Sequence, residues 1–107
     1  MLNIKKGKIT HMRGDTGCLV VNLIADGEPY EMRDGDRLIF SVKKSVDDNG
    51  YVLQKEFNSN RIILMHNDTN HIEPGIYIYD IQLVTSIGMV QTIGPGKYIL
   101  KADVTRE

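Results

Sequence analysis

Three short stretches of the sequence carry residue types that do chemistry. His66-Asn67-Asp68-Thr69-Asn70-His71 offers two imidazoles and a carboxylate within one segment, a set that could begin a metal site. Zinc needs three or four ligands at spacings that follow a few patterns, and this stretch matches none of them. It reads better as a polar loop in which Asp68 and Thr69 bond the backbone of a turn. Cys18 is the single cysteine. It heads an apolar run with no histidine–carboxylate pattern around it, so a buried structural thiol is expected. Gly94-Pro95-Gly96-Lys97 places glycines ahead of a lysine, as phosphate loops do. The leading glycine is missing, however, and Tyr98 stands where a serine or threonine would hold magnesium. The stretch is expected to connect two strands of a hairpin.

Gly14-Asp15-Thr16-Gly17 contains Asp-Thr-Gly, the triplet that supplies one carboxylate per subunit to the dyad of aspartic proteases. That use needs an apolar strand before the triplet and a small residue after it. Here His11-Met12-Arg13 leads in and Cys18 follows, so the triplet reads as a turn. Asn67-Asp68-Thr69 matches a glycosylation acceptor, which matters only on a secretory route. No catalytic set, cofactor site or metal site is expected, and the protein is expected not to be an enzyme.

Residues with so little evident chemistry direct attention to the frame that holds them. The chain has 107 residues, 41% apolar and 25% charged, with a formal net charge of -1. This is enough for one hydrophobic core and is expected to form a single domain, 1–107. The near-zero charge leaves no basic footprint, which argues against nucleic acid as a partner. No window reaches the ~18 apolar residues of a membrane span. The opening MLNIKKGKIT has lysines but no apolar run behind them, so it does not read as a signal peptide.

Turn residues punctuate the chain densely, among them Asp26-Gly27, Asp34-Gly35-Asp36, Asn49-Gly50, Pro74-Gly75 and Gly94-Pro95-Gly96. Between them lie short segments rich in Ile, Val, Leu and Tyr that alternate with period two. Leu19, Val21 and Leu23 share a face, as do Leu38, Phe40 and Val42, and Tyr77, Tyr79, Ile81 and Leu83. Strands are expected over 3–10, 18–24, 29–33, 37–44, 51–57, 61–66, 76–85, 89–93 and 97–105, with hairpin turns at 34–36 and 49–50. The fold class that follows is all-β: an Ig-like or fibronectin type III-like antiparallel β-sandwich of about 7–9 short strands. Charges at 43–44 and 54–56 are expected on a solvent face or a protected edge.

Ile72-Glu73-Pro74-Gly75-Ile76-Tyr77 resembles the corner of such sandwiches, in which a tyrosine opening a strand folds back onto upstream backbone. The fibronectin type III version carries one more residue between glycine and tyrosine. On this reading Pro74, Gly75, Tyr77 and Tyr79 form a structural corner. Period two then sends Asp80 and Gln82 to the opposite face, exposed or at an interface, where they are the residues expected to meet a partner. His66, Asp68, His71 and Tyr30 are the loop-borne groups that a ligand-binding module would use instead.

Taken together, Asp68-Thr69, Pro74-Gly75-x-Tyr77-x-Tyr79-Asp80-Ile81-Gln82-Leu83, Val90-x-Thr92-Ile93, Gly96-Lys97-Tyr98 and Asp103-Val104-Thr105-Arg106 look like a family of short Ig-like proteins. Asp36-Arg37-Leu38-x-Phe40-x-Val42-Lys43 is similar to the same group, which is encoded in phage and prophage structural modules of Gram-positive bacteria. The resemblance covers about residues 35–107. It implies a virion part of tail or baseplate type, without catalysis, that contacts itself or other virion proteins as a homo-oligomer or within a larger assembly. It also implies a location in the cytoplasm of the bacterial host before assembly and in the virion afterwards. Strands 3–10 and 97–105 are expected near the sheet edges as contact surfaces. The alternative is a small β-sandwich module that binds a carbohydrate or protein ligand.

Overall fold

The computed structural model describes the backbone of residues 3–5 and the whole of residues 7–105. Among these, the elements in chain order are β1 (Asn3–Lys5), β2 (Lys8–Met12), β3 (Gly17–Val20), β4 (Ile24–Ala25), β5 (Glu28–Pro29), β6 (Arg37–Lys43), β7 (Leu53–Phe57), β8 (Arg61–Leu64), α1 (His66–Thr69), β9 (Gly75–Val84) and β10 (Val90–Lys101). Strands take 52% of the chain and helix 4%, so the fold is all-β.

Six strands form one curled mixed sheet in the order β1-β2-β10-β9-β6-β7, while β3 pairs with β8 and β4 with β5. Neighbours in the large sheet are antiparallel except β2 and β10, which run parallel. Period-two sequence becomes period-two burial most clearly in β9, where Tyr77, Tyr79, Ile81 and Leu83 are buried and the residues between them are half-buried. Leu38, Phe40 and Val42 of β6 lie beside them on the inner face, and β3 and β8 bring Leu19, Ile62 and Leu64 over that face to close a single core. Burying each such side chain is worth about 1.5–3 kcal/mol against exposure, which is what holds the ribbon on the sheet.

Several boundaries differ from the sequence reading, each for a physical reason. The expected strand 3–10 breaks at Gly7, and only β1 reaches an edge. The segment expected over 97–105 is not an edge, because β10 runs between β2 and β9. The expected strands 89–93 and 97–105 are one strand. Gly94-Pro95-Gly96 is no hairpin connection but a register shift inside β10, between Ile93 and Gly96. Gly96 is required there, since a Cβ would lie 2.3 Å from the Gly7 carbonyl oxygen and 2.7 Å from the Tyr79 ring.

Of the expected strand 29–33 only Pro29 is in a strand, at the end of β5, and residues 30–33 form none. Pro29 has no N–H to continue a ladder, and the chain from Tyr30 is organised by Asp36 instead. The turn at 34–36 therefore joins a loop to β6 rather than two strands. The turn near Asn49-Gly50 does lie within the β6–β7 hairpin, although the paired part of β7 starts at Leu53. The polar 66–71 loop contains one helical turn. Cys18 is exposed, against the expectation of burial. It precedes Leu19, Val21 and Leu23, which all point inward, so alternation turns Cys18 outward.

Candidate functional site

Most polar side chains singled out in the sequence are used up inside the molecule. The Tyr77 hydroxyl donates to the Glu73 carbonyl at 2.5 Å, four residues upstream across Pro74-Gly75. The Tyr79 hydroxyl donates to the Gly7 carbonyl at 2.7 Å, tying β9 to the turn between β1 and β2. Burial pushes both phenols above their ordinary pKa.

The loop groups behave likewise. Asp68 accepts from Lys55 Nζ at 2.7 Å and from the Met65 backbone N–H at 2.7 Å. His66 Nδ1 donates to the Gly14 carbonyl at 2.8 Å, and the Gly14 N–H donates to Thr69 Oγ1 at 2.8 Å. The Gly14-Asp15-Thr16-Gly17 loop is thus docked on α1 by side chains of the helix, and the Asp15 N–H donates to the Met12 carbonyl at 3.1 Å to close the turn. His71 is exposed at the end of this segment. Tyr30 lies elsewhere, near the opposite end of the sheet, where its hydroxyl donates to Asp36 Oδ2 at 2.5 Å. The four alternative ligand-binding residues therefore do not converge, and no group of three or more metal-ligating side chains forms among the described residues.

Two buried polar centres escaped the sequence reading. Asp36 is 3% exposed and accepts from Tyr30, from the Arg33 N–H at 3.0 Å and from the Ser86 N–H at 2.9 Å. The Tyr30 hydroxyl, followed by the two backbone donors, holds its carboxyl below the ordinary value. The same bond raises the Tyr30 phenol. His11 is fully buried. Its Nε2 faces the Asp15 carbonyl at 2.8 Å and its Nδ1 faces the Tyr98 hydroxyl at 2.7 Å. A carbonyl only accepts, so Nε2 carries the proton and Nδ1 accepts from Tyr98. Burial is the largest influence on this imidazole and lowers its pKa, while burial drives the Tyr98 phenol far upward. The signal for His11 is its place two residues after Ile9, and that for Asp36 its place two residues before Leu38, each in phase with the core; the partners of Asp36 have no such local signal.

Against this background the outer face of the sheet stands apart. The β6–β9 register sets Ser41 opposite Asp80 and Ile39 opposite Gln82, and β7 brings Gln54 opposite Ser41. The result is an open cleft of about 290 Å³ lined by these residues with Lys43, Val46, Tyr51, Ile78 and Pro95. Gln54 Nε2 donates to Ser41 Oγ at 3.0 Å. Lys43 Nζ is turned to the Asp48 carbonyl at 2.8 Å and lies 4.9 Å from the Tyr51 ring centroid. Asp80 is half-buried, and its carboxylate makes no hydrogen bond or ion pair with any described residue. By contrast, no buried side-chain nitrogen or oxygen among the described residues lacks a partner.

The cleft can therefore accept a hydrogen-bond donor or a cation at Asp80, with amides on either side and apolar walls. Asp80 and Gln82 were expected on this face, and both line the cleft; Gly75 opens β9, directly after Pro74. Ser41, Gln54 and Tyr51 were not anticipated, because only the pairing of β6 with β9 and β7 brings them together. No described helix is long and apolar enough to cross a membrane. Compared with family models, curated proteins and solved structures, the chain matches none of them.

Proposed function

We propose that this protein is a non-enzymatic structural module that works through protein–protein contacts, of the type found in phage or prophage tails and baseplates. The reading includes an Ig-like or fibronectin type III-like sandwich, supported by the Tyr77 hydroxyl folded back on Glu73 and by the β3–β8 ribbon over the large sheet. The protein would reside in the bacterial cytoplasm before assembly and in the virion afterwards.

The observation that carries the proposal is Asp80: a half-buried carboxylate in an open cleft with no partner among the described residues, whose buried side-chain nitrogens and oxygens are all satisfied. A half-buried carboxylate gains most from a charged donor, and an arginine or lysine of a partner supplies one. Its methylenes would lie on Ile78 and Val46 while the head group meets Asp80. Cross-linking mass spectrometry of the protein co-expressed with the products of its neighbouring genes tests this. Amine cross-links from Lys43 or Lys44 to one such product are expected. Absence of any inter-protein link in every pairing would remove the proposal.

A second reading has its own support in Ser41, Gln54 and Gln82 beside Asp80, with the exposed Tyr51 at the rim. That set suits a small neutral polyol such as a sugar. A glycan array that gives specific signal, lost in Asp80→Asn, would favour it over the first.

A further inference from the structure

The large sheet ends in two unlike surfaces. Ile76 and Val84 mark the two ends of β9 and stand eight residues apart, about 26 Å at ~3.3 Å per residue, in a molecule 43 Å long. At the Val84 end, the β4–β5 hairpin and the β9–β10 turn expose Ile24 (61%), Ile87 (81%) and Met89 (65%). An apolar groove of about 400 Å³ opens between these two turns, with Leu83 and Ile93 in its lining. The hairpin that borders it carries two exposed acids, Asp26 and Glu28. At the other end Ile76 is 67% exposed, in a shallow groove of about 380 Å³ formed with Ile78, Pro95 and Gly96. The charged residues of that groove are Lys44 and Lys97.

Exposed apolar side chains gathered in this way mark contact surfaces rather than ordinary solvent faces. Each surface is complementary to the other: apolar against apolar, acid against amine. A two-fold contact made through either end alone would instead set Asp26 and Glu28 against their own copies, or Lys44 and Lys97 against theirs, and like charges repel.

We propose that copies of this chain associate head to tail, the β4–β5 hairpin and β9–β10 turn of one copy seating in the Ile76–Lys97 groove of the next. The occupant of each surface is thus a second copy of the chain. Such a contact is heterologous, so it closes into a ring or extends as a filament. The proposal rests on the reading of the protein as an assembly module.

Sedimentation velocity over a concentration series tests it with two variants, Asp26→Asn/Glu28→Lys at one end and Lys44→Glu/Lys97→Glu at the other. All four positions are exposed. The wild type is expected to grow past the dimer as concentration rises, while each variant alone stays at the monomer mass of 12.1 kDa. An equimolar mixture of the two variants should regain assembly, because each supplies the charge the other has lost; that recovery also excludes misfolding as the cause. A wild type that remains monomeric, one that stops at the dimer, or a mixture that fails to recover each overturns the head-to-tail contact. If the monomeric wild type still forms a complex with a neighbouring gene product, only the self-contact falls. If it forms none, the assembly reading falls with it.

Discussion

At the scale of single residues, the polar interior of this protein is held by buried hydroxyls, one imidazole and one carboxylate. Replacing Tyr77 with Phe removes the donor to Glu73 and should cost about 1 kcal/mol, read as a lower urea midpoint with the fold retained. An unchanged midpoint would show that the bond contributes nothing. His11 sets the pH response near neutrality. Its pKa lies below 6.5 in the folded chain, so the unfolded chain binds more protons as pH falls. Stability should therefore be full above 6.5 and decline below it, and His11→Gln should flatten that slope. Asp36 acts lower down: its folded pKa is below 3.8, so its contribution is present above that value and is lost as pH falls further. Thermal unfolding from pH 8 to pH 3 should show both declines, and Asp36→Asn should remove the second.

At the scale of elements, close approach matters more than propensity. The β10 irregularity brings Gly96 against Gly7 and Tyr79, and nothing but hydrogen fits there. Gly96→Ala should destabilise by roughly 1–3 kcal/mol, the usual cost of overpacking, with the Tyr79–Gly7 bond disturbed as well. Gly27→Ala, with open space around its Cβ, should cost only the strain of a positive φ. Differential scanning calorimetry of the two variants should rank them in that order.

These elements also show which parts of the fold the sequence reveals. β9 was legible because the alternation from Tyr77 to Leu83 runs unbroken after a Pro-Gly turn. β10 was read as two strands because Gly-Pro-Gly is a turn signal locally, and only the backbone of Gly7 across the sheet explains why it lies within a strand. The failed strand at 29–33 has the same origin: Asp36 claims Tyr30 and Arg33 through contacts that no period records. Exposure of Cys18 was readable, since it is out of phase with Leu19, but the apolar run after it obscured the phase.

At the scale of the whole molecule, the buried polar groups serve the scaffold and the outer surfaces are free to meet others. Asp80 and Gln82 could be sent to the outer face by period two alone. Their neighbours Ser41, Gln54 and Tyr51 could not be found that way, because strand order is not written locally. Arg13 and Asp103, 2.8 Å apart and mostly shielded, tie the segment after β2 to the segment after β10, and neither lines this cleft. A charge reversal at Asp80 should therefore leave the fold intact while setting a positive charge against any basic partner. The most direct measurement is size-exclusion chromatography with light scattering of the protein co-expressed with its neighbouring gene products. A stoichiometric complex is predicted for the wild type and its loss for Asp80→Arg, with the variant's unfolding transition unchanged. Elution as an isolated 12.1 kDa chain in every pairing and at every concentration would contradict a role in assembly.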